Sequence, residues 1–187
     1  MGSRRVLAFA VALLMGVPAL AQGPTYGIGR TPTAEEIRAR DISIGPTGEE
    51  LPVGKGSAKE GAITFRRMCS ECHGDAGIGG DAPVLKSRNP TNPNVWARGR
   101  ILPLRAPFAT TVWDFINRGM PLNREGTLTP DEVYSLTAYL LFINDVVPED
   151  KVLDQQSLPQ VKMPLGDRYA TLPEWKPRTK RLQHYPF

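Results

Sequence analysis

Cys69-Ser70-Glu71-Cys72-His73 packs both cysteines of the 187-residue chain, and one of its two histidines, into five consecutive positions. Two thiols three residues apart lie on one side of a helical turn. From there they reach the two vinyl groups of one porphyrin, and the adjacent imidazole ligates its iron from the proximal side. C-x-x-C-H is the attachment pattern of c-type haem. The expectation is therefore one covalent haem c, anchored by Cys69 and Cys72, with His73 as a metal ligand. The competing readings are a local disulfide, a redox dithiol and half of a zinc site. A thioredoxin-like dithiol needs strand–helix–strand surroundings, and the sequence offers none. A zinc site needs four ligands, and the thiols and imidazoles end at Cys69, Cys72, His73 and the remote His184.

Thioether attachment of haem takes place outside the bacterial cytoplasm, so an export signal is expected. Arg4 and Arg5 form a basic start, Val6 to Val17 is apolar, and Ala19-Leu20-Ala21 is an A-x-A cleavage site. The apolar run is too short to span a membrane, which takes about 20 residues. Residues 1–21 read as a signal peptide, with a periplasmic mature chain that has no membrane span. The arginine pair is discounted as a twin-Arg signal, because that route carries folded cargo while haem is attached to unfolded chain. Removing Arg4 and Arg5 lowers the formal charge from +4 to +2. That near-balance gives no case for a nucleic-acid partner. The locally basic tail, Lys176, Arg178, Lys180 and Arg181, reads as a solvated segment rather than a docking site.

What remains is enough for one domain, divided into an N-terminal extension (22–56), a haem-bearing segment (57–146) and a C-terminal extension (147–187). Three capping boxes mark helix starts: Thr33 with Glu36, Ser57 with Glu60, and Thr129 with Glu132, the last strengthened by Pro130 at the first helical position. The first opens a turn or two to about Arg40, the second a helix running to the cysteines, and the third a helix to about Asp145. The apolar stripe of that last helix is Val133, Leu136, Tyr139, Leu140 and Ile143. A shorter helix is expected from Thr111, ended by Gly119. The proline- and glycine-rich remainder reads as irregular, and no strand is evident, so the fold class is all-α.

An iron held by one histidine takes a distal ligand or stays open for chemistry. Met68 precedes Cys69 directly and cannot reach the opposite haem face. Met120, between Gly119 and Pro121 and just before the last long helix, sits in a loop able to swing over the ring. It is the chosen metal ligand, ahead of Met163 and His184. Histidine–methionine ligation favours the ferrous state and fills the coordination shell, which describes an electron carrier. The rival is a catalytic haem with an open iron site, peroxidase-like or oxidising sulfur compounds. Trp113 and Phe115 are candidate pocket aromatics. Trp96, Arg98 and Arg100 are candidates for meeting haem propionates.

Gly61 and Phe65, Cys69 to His73, Pro83-Val84-Leu85, Met120-Pro121 and Leu136-Thr137-Ala138-Tyr139-Leu140 resemble the class I cytochromes c over about residues 57–146. The resemblance implies that the first and last helices cross at a glycine–aromatic contact, Gly61 against a residue such as Tyr139. It also implies that the Pro83 carbonyl accepts the N–H of His73, orienting it, and that Leu85 packs on the haem. Beyond the haem segment, Tyr26-Gly27-Ile28-Gly29-Arg30, Thr33 to Ile37, Asp41-Ile42 and the tail from Val152 to Pro164 are similar to cytochromes paired with periplasmic molybdenum enzymes of sulfur oxidation. Those are the haem subunit of sulfite dehydrogenase and the cytochrome of sulfane dehydrogenase. The sulfane type often carries two haems, so a single C-x-x-C-H favours the sulfite type. The implied partners are a molybdenum-containing dehydrogenase as electron donor and another cytochrome or a terminal oxidase as acceptor.

Overall fold

The structure, a computed structural model, describes residues 27–166. The expected signal peptide, Tyr26, the basic tail and His184 lie outside the described residues. The chain divides into two units, one ending at Arg40 and the other beginning at Asp41. The first contains helix α1 (Ala34–Arg40), opened by the expected capping box: the Glu36 amide donates to Thr33 Oγ1 and the Thr33 amide to the Glu36 carboxylate. Arg30 pairs with the same carboxylate, and chiefly for that reason the pKa of Glu36 is held down to about 2.

The second unit is built on two crossing helices. Helix α2 (Ala58–Met68) starts at a complete capping box, the Glu60 amide donating to Ser57 Oγ and the Ser57 amide to Glu60. A short turn of helix, α3 (Ser70–His73), follows it directly. After a long loop come α4 (Leu102–Arg105) and α5 (Ala109–Gly119). Helix α6 (Pro130–Phe142) opens at the Thr129–Glu132 box and buries Val133 through Leu141 almost without interruption. It is the central element, with α2 across one side and α5 against another. Gly61 makes the α2–α6 crossing possible, since a β-carbon there would lie 1.9 Å from the Ser135 carbonyl oxygen. One turn on, the rings of Phe65 and Tyr139 meet at 5.1 Å. Trp113 of α5 packs on Tyr134 of α6 at 5.5 Å.

Two short strands depart from the expectation of none. β1 (Lys55–Ser57) pairs antiparallel with β2 (Val152–Asp154), Gly56 opposite Leu153. Each has three residues, too few to show a period-two pattern in sequence. A β-carbon on Gly56 would come within 2.4 Å of the Ser135 backbone nitrogen, so glycine is what lets β1 lie on α6. The segments flanking the haem motif are thus not loose wrapping. Leu51, Val147, Leu153, Leu158 and Met163 share one core with Phe65, Trp113 and Leu141. Among the described residues no helix is long and apolar enough to cross a membrane.

Candidate haem site

Helix α2 delivers the motif. The Cys69 amide still donates to Phe65 O (2.8 Å), closing α2, and Cys69 O accepts from the amides of Cys72 (3.2 Å) and His73 (2.9 Å). One turn therefore holds all three side chains. Cys69 is half-buried and Cys72 exposed, and both thiols are free. Burial, with Cys72 adding, pushes the Cys69 thiol up to about 11. A redox dithiol runs on a lowered pKa, so this environment opposes that reading. Among the described residues no group of three or more His, Cys, Asp or Glu is arranged to hold a metal ion.

Gly74 turns the chain after the histidine at φ 74°, a left-handed position open to glycine. The loop folds back so closely that a β-carbon on Gly74 would sit 2.0 Å from Ile78 O. This return brings Pro83 O within 2.9 Å of His73 Nδ1. A carbonyl oxygen only accepts, so Nδ1 carries the proton and Nε2 presents its lone pair. The geometry is the one the resemblance implied. Pro83 itself is exposed, while Leu85 is half-buried and packs against the core.

Met120 stands where α5 ends. Its amide donates to Ile116 O (3.0 Å) while its backbone is extended (φ −132°, ψ 149°), so the residue leaves the helix half-buried against the core. Met163, weighed as its rival, is 6% exposed inside the core cluster. Trp113 is buried, and Phe115 keeps about half its surface accessible. Of the residues considered for propionates, Arg98 directs Nε to Asn92 O (2.6 Å). Trp96 lies exposed under the guanidinium of Arg105 at 4.5 Å. Arg105 is a cation the sequence reading passed over; its Nε and Nη2 go to Gly99 O and Trp96 O.

These residues suit haem c. Two thiols share one turn beside an imidazole whose free nitrogen is Nε2, and a thioether stands at the end of α5. On α5 itself two buried polar atoms one turn apart, Thr110 Oγ1 and Trp113 Nε1, have no hydrogen-bond partner among the described residues. Buried donors are normally satisfied, and a group bearing carboxylates supplies the missing acceptors. Fold and site together define a c-type cytochrome.

A family model described as cytochrome c oxidase, cbb3-type, subunit III matches residues 56–140. The crystal structure of the sulfane dehydrogenase SoxCD from Paracoccus pantotrophus contains a chain similar to this one at 32% identity, with a TM-score of 0.65. The match covers 78% of this chain and 72% of that one. No curated protein matches. The chain belongs to the class I cytochromes c, related to enzymes of sulfur oxidation, and its activity is electron transfer.

Proposed function

We propose that this chain is a periplasmic monohaem cytochrome c that accepts single electrons from a molybdenum sulfite dehydrogenase and passes them to another cytochrome or a terminal oxidase. Bound haem c supplies a one-electron iron couple. Cys69 and Cys72 would hold the group as thioethers, each S–H adding across one vinyl C=C with nothing oxidised and nothing expelled. His73 would ligate through Nε2, with its Nδ1–H held on Pro83 O. Met120 would be the second metal ligand, Leu85 would pack against the group, and Trp113 Nε1 would be free to donate to one of its carboxylates. Residues 1–21 serve export, 22–56 and 147–187 flank the haem segment 57–146, and the mature chain carries no membrane span.

The observation that carries the carrier reading is the His73–Pro83 pair, which leaves Nε2 free beside two thiols. The partner reading rests on the likeness to the sulfane dehydrogenase structure. It spans 78% of the chain, whereas the haem segment is about half of it, so the likeness takes in flanking segments too. A single motif favours sulfite as the donor's substrate.

Purification from the native host, with haem iron and molybdenum measured together, tests both parts. One iron per chain that resists acid–acetone extraction, but is extracted from a double Cys69→Ala, Cys72→Ala variant, is the result expected for a single covalent haem. Near-stoichiometric molybdenum, released together with sulfite-oxidising activity, is expected for a stable subunit. Molybdenum-free, haem-loaded chain that no sulfite-oxidising enzyme reduces would overturn the partner.

A further inference from the structure

We propose that Asn144 is a positioning residue that sets how strongly His73 binds iron, by fixing the loop whose carbonyl orients the imidazole. The inference rests on the haem reading above. Asn144 follows α6 and is 1% exposed. Its Nδ2 donates to Leu140 O (2.8 Å), which caps the helix, and to Leu85 O (2.8 Å); its Oδ1 accepts from the Ser87 amide (2.9 Å). Two carbonyls facing one end and an N–H facing the other allow one amide orientation only. Toward the loop the side chain acts as a peptide group would in a neighbouring strand, gripping it on both sides of Lys86.

The loop in question carries Pro83. Its other backbone ties are Ala82 N to Cys72 O (2.8 Å) and Leu85 N to Gly77 O (2.9 Å). Both run to the segment that itself bears the histidine, so they move with it. Asn144 links the loop to the central helix. Ser87 extends the network, its Oγ donating to Arg98 O (2.7 Å) and accepting from the Asn89 amide (3.1 Å). A helix cap alone needs the bond to Leu140; the two bonds to residues 85 and 87 are the ones that place Pro83 O.

An acceptor on Nδ1–H makes the imidazole a stronger donor to the metal and favours the oxidised form. Without Asn144 the Pro83 carbonyl drifts, the bond to His73 lengthens, and the reduced form gains. In haem-loaded Asn144→Leu, the ferrous-to-ferric ratio at a fixed potential is expected to rise roughly three- to tenfold. The His73 Nδ1–H, followed by NMR in the reduced protein, should exchange faster while the α6 amides in the same sample keep their protection. Asn144→Ser, small enough for water to satisfy Leu85 O and Ser87 N, carries the same readouts should the leucine variant not fold. An unchanged ratio and unchanged Nδ1–H exchange in a haem-loaded variant would overturn the proposal. So would α6 amides losing protection in step with the imidazole, which would make Asn144 a stability residue only. Wild-type protein that takes up no haem would instead overturn the underlying reading, and the proposal with it.

Discussion

Gly61 of α2 and Ser135 of α6 approach so closely that no β-carbon fits between them: it would lie 1.9 Å from the Ser135 carbonyl oxygen and 2.7 Å from Tyr139 Cβ. The neighbour is backbone, so the clash is relieved only by moving one helix off the other. Since α2 carries Cys69 at its end and α6 leads to Asn144, that movement would reach the site.

Gly61→Ala therefore tests the crossing. Alanine gains about 1 kcal/mol of helix propensity over glycine, but overpacking costs about 1–3 kcal/mol and reaches the upper end where the neighbour is rigid backbone. A net loss of at least about 1 kcal/mol is expected in denaturant unfolding followed by far-UV circular dichroism. Gly119→Ala is the control, because nothing lies within 4 Å of the added atom. It should be neutral or mildly stabilising. Equal behaviour of the two variants would dismiss the close crossing.

Met120→Ala tests the distal ligand. With Met120 as the proposed distal ligand, native ferrous protein is expected to resist carbon monoxide, because its thioether would fill the coordination shell. The alanine variant should bind it fully and quickly, and its reduction potential should fall, since the thioether favours the ferrous state. Fast, complete binding by the unaltered protein would instead support an open, catalytic iron. Met163→Ala should leave carbon monoxide binding unchanged and destabilise the fold, because Met163 is buried in the core.

What could be read from sequence was local. Ser57 with Glu60 and Thr129 with Glu132 lie three residues apart, and each box recurs in the structure with both reciprocal bonds. The His73–Pro83 pair was legible only through family likeness, since nothing in the loop's composition places a carbonyl against an imidazole ten residues back. The pairing of Lys55–Ser57 with Val152–Asp154 joins segments almost a hundred residues apart and has no local signature. Helix α5 begins at Ala109, two residues before the expected start, because Phe108 at its N-cap offers no side-chain bond to mark the place. Asn144 follows directly on the apolar stripe of α6 and carries no motif. Its partners are main-chain groups 57 and 59 residues away, which no pattern of side chains announces.

Tyr134 sets an alkaline limit. Its hydroxyl donates to Pro52 O (3.0 Å), and burial, with Asp154 adding, pushes its pKa from 10.0 up to about 12. Below pH 10 the phenol is neutral whether the chain is folded or not, and its contribution is fully present. Between pH 10 and about 12 the unfolded chain ionises while the folded one does not, so stability falls as pH rises, by up to about 1.4 kcal/mol per pH unit. Tyr134→Phe should be less stable at pH 7, through the lost hydrogen bond, yet show a shallower decline above pH 10. Tyr139, also raised by burial, accounts for part of the slope that remains. Under the proposed attachment Cys69 would be a thioether in haem-loaded protein and would take no part. Identical slopes for the two proteins would remove Tyr134 from the account.

Helix α6 ends at Phe142, three residues short of where its pattern suggested, and the reason is Asp145. The Val146 amide reaches back to Leu141 O (3.0 Å) and the Asp145 amide to Phe142 O (2.9 Å), a Schellman ending that requires a left-handed residue. Asp145 supplies it at φ 56°, a conformation strained for any side chain but open to glycine. The side chain is exposed, so removing it opens no cavity. Glycine costs more entropy on folding, but relief of the left-handed strain of about 1–2 kcal/mol is the larger effect. Asp145→Gly is therefore expected to stabilise the protein by about 0.5–1 kcal/mol, read as a higher denaturant midpoint at unchanged m-value. Because the ending also fixes the backbone of Asn144, the reduction potential should stay at the wild-type value. A lower midpoint would mean that the aspartate holds its turn by more than backbone conformation.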